Sequence, residues 1–288
     1  MKKRIVILGC ENSHAETFLR YIREDGDAPD VVGVYSDEPA AAAALAKKYG
    51  VPVLGRPDEA AGRVDGAMIT ARSGSLHYRY AAPYITPGAA LFIDKPITVS
   101  EEEALTLARR LSAAGVPVTG GSSCRYERTV RRLKADAAAG TGGRTVGGYV
   151  RSPLYPDSRY DGFFFYAQHL AEIVMEIFGR YPERVAAYGN GGNVTVVFRY
   201  AAYDVTGLYA AGTDGYYAVR ASEKGTDGGA LDIGDDCFRA DYEAYRGILY
   251  GGGQPVPYDD LIAPVFVMNA IVRALQTGSE QPVRRFTV

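Results

Sequence analysis

Three histidines (His14, His77, His169), three cysteines (Cys10, Cys124, Cys237) and Lys95 carry most of the reactive chemistry open to this 288-residue chain. Imidazole titrates in the range useful for proton transfer, and an ammonium supplies a compact positive charge or, when buried, a base. Cys10, Glu11, Glu172 and the histidines are metal ligands by type. No H-x-x-x-H, H-x-H or C-x-x-C spacing joins them, so no metal site is expected. Lys95 stands out by position, because it follows the apolar run Phe92-Ile93 and Asp94 and precedes Pro96, at the end of a buried strand. Gly9-Cys10-Glu11-Asn12-Ser13-His14 likewise follows an apolar run and opens a helix, whose exposed N–H groups favour an anion. Asn12, Ser13 and His14 can donate hydrogen bonds to a phosphate there, although Ser13 also reads as a helix cap and His14 as a first-turn surface residue. Arg125, Arg128, Arg131 and Arg132 read as a solvated helix face.

The elements that must position these residues follow from periodicity. Arg4–Leu8 is the pattern of a strand buried on both faces. Ser13 with Glu16 predicts a capping box, and Ala15, Phe18, Leu19 and Ile22 share one face of the helix behind it. The alternation continues with a strand over Val31–Tyr35 and a helix over Ala40–Tyr49 stopped by Gly50. A strand over Val64–Thr70, a helix over Leu76–Ile85 and a strand over Ala89–Asp94 come next. A second capping box, Ser100 with Glu103, opens a helix to Ala114, and Val116–Thr119 is the last strand of the unit. Such alternation predicts a parallel sheet with right-handed crossovers that binds ligands at the carboxyl ends of its strands. Those ends carry Gly9–His14, Ser36-Asp37, Thr70–Ser75 and Asp94-Lys95-Pro96.

After residue 121 the texture changes. A basic helix over Arg125–Ala139, a strand over Val146–Ser152 and a helix over Phe165–Phe178 precede four strand-like runs: Arg184–Ala187, Val194–Tyr200, Val205–Ala211 and Tyr216–Ala221. Gly, Asn and Asp turn signals separate them, and helices around Asp241–Leu249 and Tyr258–Leu275 finish the chain. The fold class is α/β: an N-terminal Rossmann-type parallel sheet followed by an α+β domain with a mainly antiparallel sheet. The division falls at 1–121 and 122–288, with the second domain expected to close over a ligand.

Composition sets bounds. Hydrophobic residues make up 47% and charged residues 23%, with a net charge of −2, which argues against nucleic acid or an anionic membrane as the main partner. No uninterrupted apolar run approaches the roughly 18 residues that span a bilayer. Lys2–Cys10 has the basic start and Leu-Gly-Cys of a lipoprotein signal, but its apolar run falls short of the about 7–15 residues needed, and a buried first strand explains it better. Three cysteines without a C-x-x-C pair fit a reducing, cytoplasmic setting. Tyr200, Tyr203, Tyr209, Tyr216 and Tyr217 fall in the later strands, where alternation sends part of the set away from the helices as a surface for a partner.

The order of motifs resembles the Gfo/Idh/MocA family of NAD(P)-dependent oxidoreductases over nearly the whole chain. The matches are Phe92-Ile93-Asp94-Lys95-Pro96 (the family's Glu-Lys-Pro, with Asp for Glu), Thr70 through His77, Gly120-Gly121 to Arg125-Tyr126, and His169 in a helix ending at Phe178-Gly179. The resemblance implies hydride transfer between a nicotinamide and a hydroxyl-bearing carbon of a sugar, polyol or related compound. It implies Lys95 and His169 as catalytic residues. Removing a hydride from an alcohol needs a base for the proton and a positive group for the developing alkoxide, and these residue types suit both tasks. It implies a cofactor bound by Gly9, Cys10, Asn12, Ser13, His14, Ser36, Asp37, Thr70, Ala71, His77, Asp94 and Lys95. Family members commonly associate through the C-terminal sheet, which implies a homodimer or larger.

Departures from the family pattern leave a second reading open. Only the first glycine of Gly-x-Gly-x-x-Gly survives, and Glu11 brings a carboxylate to the phosphate loop. Like charges about 4 Å apart repel by roughly 1 kcal/mol in water and about 4 kcal/mol at an effective dielectric of 20. Ser36 holds the position nearest the second strand, and Asp37 behind it tilts the reading towards NAD over NADP. Phe165 replaces the family's aspartate four residues before His169, and Glu172 stands three after it. The cluster Phe163–Tyr166 suggests either an aromatic ligand or core packing, with packing expected of Phe163 and Phe164. Tyr155, Tyr160 and Asp161 precede it within reach of a cleft. The alternative function is a non-catalytic ligand-binding or regulatory protein on the same fold.

Overall fold

The computed structural model describes residues 2–288, which divide into two compact units. The first, up to Gly121, is built from β1 (Arg4–Leu8), α1 (Ser13–Glu24), β2 (Asp30–Tyr35), α2 (Pro39–Tyr49), β3 (Gly66–Ile69), α3 (His77–Ala81), β4 (Ala90–Asp94), α4 (Glu101–Ala114) and β5 (Val118–Gly121). All five strands pair in parallel in the order β2-β1-β3-β4-β5. The order reverses between β1 and β3, and at such a switch point the loops after the two strands part and leave a crevice at their carboxyl ends. Gly50 and Gly115 end α2 and α4 in the left-handed conformation, at φ 67° and 63°, as their sequence positions predict. Ser100 caps α4 by accepting from Glu103 N at 3.3 Å.

Residues Phe238–Leu261 also belong to this unit, which a division at residue 121 does not foresee. The reason is apolar burial: Tyr242, Tyr245, Ile248 and Leu249 enter the same core as Phe18, Met68 and Phe92. Each large side chain buried there contributes about 2 kcal/mol of transfer free energy. Gln254 closes the exposed edge of β5, accepting from Val118 N at 2.8 Å and donating to Val118 O at 3.0 Å, as a neighbouring strand would.

The second unit holds Ser122–Cys237 and Ile262–Thr287. It contains α5 (Arg128–Ala139), β6 (Thr145–Leu154), α6 (Phe164–Phe178), β7 (Arg184–Asn190), β8 (Asn193–Arg199), β9 (Asp204–Ala211), β10 (Tyr216–Ser222) and β11 (Gly225–Leu231). The chain then runs through α7 (Asp235–Leu249), α8 (Tyr258–Thr277) and β12 (Gln281–Pro282). The sheet order is β11-β10-β6-β9-β8-β7-β12, antiparallel except for the parallel pair β6 and β9. Glycines let α6 sit close on this sheet: a Cβ on Gly148 would meet Phe178 at 2.1 Å, and one on Gly207 would meet Leu170 at 2.8 Å. By length and composition α8 could cross a membrane, but 61% of its apolar window is buried, the pattern of a core helix.

The expected Tyr-rich open sheet face needs correction. Register puts Tyr209 and Tyr216 on the face that α6 covers, and Tyr209 Oη donates to Ala167 O at 2.9 Å. Tyr200 and Tyr203 stack on each other at the β8–β9 turn and donate to Gly179 O and Phe178 O. A phenol near a helix end is drawn to the carbonyls left unpaired there. Of the five, Tyr217 alternates onto the open face, where Tyr149, Val197, Leu208 and Val219 join it.

Candidate active site

Two clusters in the first unit join the strand ends. In one, Asp94 at the end of β4 reaches the first turn of α1. Its Oδ2 accepts from Asn12 Nδ2 at 2.9 Å and from His14 Nδ1 at 2.6 Å, and its Oδ1 accepts from Lys95 N at 2.7 Å. Burial by itself would push the Asp94 carboxyl up. The charge and hydrogen bond of His14, with those of Lys95, outweigh it and hold the carboxyl below its ordinary 3.8. Because a carboxylate only accepts, His14 carries its proton on Nδ1 and turns Nε2 away from Asp94.

In the other cluster, Glu11 leaves the β1–α1 loop for the end of β2. Its carboxylate accepts from Ser36 Oγ at 2.5 Å and from Arg72 N at 3.0 Å. The repulsion expected between Glu11 and a phosphate at α1 is thereby relieved. Gly9, at φ 104°, lies against the loop after β3 so closely that a Cβ there would meet Ala71 N at 2.1 Å.

Several expected cofactor residues are engaged within the protein itself. The N-cap of α1 is Asn12, whose Oδ1 accepts from His14 N at 3.3 Å, so Ser13 is the first helical residue and no capping box forms. Thr70 is fully buried and donates to Gly9 O at 2.9 Å. His77 is fully buried with Nε2 at 2.8 Å from Ala71 O, and burial lowers its imidazole below the ordinary 6.5, so it is a neutral brace for the loop after β3. Cys10 donates to Tyr35 O, and burial, aided by the charge of Glu11, pushes its thiol up to about 12. Ala71 and Asp94 are buried as well. Asp37 takes a hydrogen bond from Tyr35 Oη at 2.7 Å and pairs with Arg79. Ser13, His14 and Glu11 retain exposed surface.

These residues fit a dinucleotide by the chemistry of the donors at the crevice. The helix start offers the Ser13 hydroxyl to a phosphate, and the Glu11 carboxylate is turned to the end of β2. Lys95 is buried after β4. Among the described residues no cluster of His, Cys, Asp and Glu could hold a metal. A cavity of about 650 Å³ beside Lys2, Asp27, Arg246 and Tyr250 lies at the amino end of β1, the wrong end of a parallel sheet for a ligand of this kind.

In the second unit α6 carries His169, 5% exposed, with Nδ1 at 2.7 Å from Ser122 Oγ and 3.4 Å from Cys124 Sγ. Ser122 is the orienting partner that sequence reasoning missed; its place just after Gly120-Gly121 was the available signal. Ser122 Oγ also accepts from Cys124 N at 3.2 Å, and as a hydroxyl it can either donate to His169 Nδ1 or accept from it. Glu172 anchors this arrangement from full burial. It accepts from Ser122 N at 3.0 Å and Gln168 Nε2 at 2.9 Å, and pairs with Arg125, which is therefore not a merely solvated residue.

Phe165 leaves the family's carboxylate position to an aromatic group. Tyr155, Tyr160, Phe165 and Tyr166 meet ring to ring, and Tyr166 reaches His169 at 4.9 Å between centroids. Phe163 and Phe164 are half-buried, and Phe163 packs on Tyr209 at 5.3 Å and on Phe164 at 5.9 Å. Tyr155 Oη donates to Asp214 at 2.9 Å, and burial followed by that bond pushes the phenol up to about 12.

Residues 3–122 match the model of an oxidoreductase family with an NAD-binding Rossmann fold, GFO_IDH_MocA. A curated relative, named as a UDP-kanosamine synthase oxidoreductase subunit of Amycolatopsis mediterranei (strain S699), is 26% identical over 134 residues, 46% of this chain and 37% of that protein's length. The whole fold is shared with solved structures at low identity. Myo-inositol 2-dehydrogenase from Lactobacillus plantarum superposes with a TM-score of 0.85 at 13% identity, over 99% of this chain and 100% of the other. Scyllo-inositol dehydrogenase from Lactobacillus casei, solved with NAD(H) and scyllo-inositol, gives 0.84 at 14% over 98% and 99%. GenD2 from gentamicin A biosynthesis, solved with NAD, gives 0.84 at 16% over 99% and 97%.

Proposed function

From the premise that this chain belongs, through residues 3–122, to the Gfo/Idh/MocA oxidoreductases, we propose that it transfers a hydride between NAD and a hydroxyl-bearing carbon of a sugar, polyol or cyclitol. The observation that carries the reading is the switch point between β1 and β3, where Gly9, Glu11, Ser36 and the first turn of α1 gather at one end of the sheet. The inositol dehydrogenases and GenD2 share the fold, and the NAD and scyllo-inositol in their structures support this cofactor and substrate class.

The nicotinamide of a bound dinucleotide supplies the hydride acceptor or donor. Gly9 gives the backbone its close approach, and the Ser13 hydroxyl offers a donor to the pyrophosphate. Lys95 stabilises negative charge on the substrate oxygen, and His169 gives or takes the hydroxyl proton at Nε2. A second copy covers the open sheet face bearing Tyr149, Val197, Leu208 and Tyr217; a monomer across micromolar concentrations in light scattering would refute this. The three free, buried thiols suit a cytoplasmic setting.

The test is a titration of the purified chain with NADH and NADPH, followed by energy transfer from tyrosine to the nicotinamide and by calorimetry. Micromolar binding supports the reading and justifies a screen of inositols and sugars. A folded protein that binds neither at millimolar concentration overturns it. That outcome favours the non-catalytic reading, which the engagement of Asn12 and His14 with Asp94 supports.

A further inference from the structure

Glu11 belongs to the loop between β1 and α1, yet its carboxylate ends at the tip of β2. Oε2 accepts from Ser36 Oγ at 2.5 Å and Oε1 from Arg72 N at 3.0 Å. Ser36 is buried and is itself held by Glu38 N, which donates to its Oγ at 3.1 Å. In a sheet of this kind, the tip of the second strand is where an acidic side chain accepts from a ribose 2′-hydroxyl and turns away a 2′-phosphate.

Asp37, the acid nearest that task in sequence, is already engaged by Tyr35 Oη and Arg79. Arg79 is the guanidinium placed to welcome a 2′-phosphate, and Asp37 neutralises it. Glu11 keeps capacity. A carboxylate offers about four acceptor sites, and the protein fills one on each oxygen, which leaves one on each for a vicinal diol.

From this geometry we infer that Glu11, supplied by the phosphate loop and not by β2, is the residue that selects NAD against NADP. The inference rests on the dinucleotide reading above. Ser36 and Arg72 N hold the charge in place before any ligand arrives, so a phosphate monoester within about 4 Å meets it at full strength, a penalty of roughly tenfold or more in affinity.

The experiment measures the Kd of NADH and NADPH for the parent chain, Glu11→Gln, Ser36→Ala and Asp37→Asn, with thermal unfolding as the control for folding. The parent should bind NADH at least about tenfold more tightly than NADPH. Glu11→Gln, equal in size but uncharged, should bring the two within about threefold, chiefly by tightening NADPH. Ser36→Ala keeps the charge and should still reject NADPH.

A parent that binds NADH without discrimination overturns the inference and leaves the proposed function standing. So does a ratio that Glu11→Gln leaves unchanged, or one that Asp37→Asn collapses instead. A parent that binds neither nucleotide overturns both.

Discussion

His14 and His169 are each held at Nδ1, by partners of opposite chemistry. In the first unit His14 faces the buried carboxylate of Asp94 at 2.6 Å; in the second His169 faces the hydroxyl of Ser122 at 2.7 Å. A carboxylate only accepts, so His14 has one arrangement, with Nε2 outward and a negative partner behind it. A hydroxyl gives and accepts, so His169 can change tautomer and keep its partner. The first arrangement suits a fixed brace between the helix start and the end of β4, the second a group that moves a proton. One residue type takes two roles because the atom behind it differs.

The largest expected effect lies in the chemistry that this comparison serves. Lys95→Ala should lower turnover of a responding polyol by about 10²–10³-fold with the far-UV circular dichroism unchanged. Retained activity would remove Lys95 from the reaction.

Next comes the Asp94 cluster. Asp94→Asn should cost about 3 kcal/mol in urea unfolding, since it strips the charge from a buried, three-donor carboxylate. Ser122→Ala should cost nearer 1 kcal/mol, the value of a neutral hydrogen bond. Equal costs would erase the contrast. The same carboxylate sets a pH dependence. Its folded value is depressed, so its contribution is fully present above the unfolded 3.8 and is lost as pH falls through the folded value. Below about pH 4 the parent should therefore lose stability more steeply than Asp94→Asn.

Ser122→Ala should reduce kcat about tenfold and leave NADH binding unchanged, and Ser122→Thr should restore most of the loss. A change confined to NADH affinity would give Ser122 a different task. The smallest effect is on the surface: Lys48→Ala removes the pair with Glu16, both exposed, and should leave the urea midpoint unchanged within error.

Local signals in the sequence carried much of the frame. The apolar runs located β1 to β5, Gly50 and Gly115 marked their helix ends, and Ser100 its cap, because each depends on a few neighbouring residues. The strand Gly225–Leu231 was invisible: GTDGGAL has no alternation, and its pairing with β10 makes it a strand. Ser13 looked like a cap because Glu16 follows at the right spacing. Asn12 takes the position because its amide is also drawn to Asp94, 82 residues away. The return of Phe238–Leu261 to the first unit was hidden for a similar reason, since an amphipathic helix does not say which core it enters.

By itself the sequence determined the alternation of elements, the strand ends at which chemistry would gather, and the placing of Lys95 and His169 on a strand end and a helix. Periodicity and turn chemistry act over a few residues, so one chain suffices to read them. Only the tertiary structure decided which way Glu11 points, what stands behind each histidine, and which tyrosines remain on an open face. Those outcomes depend on hydrogen bonds and register between segments far apart in the chain, where the energy of a side chain is set by the partner that the fold brings to it.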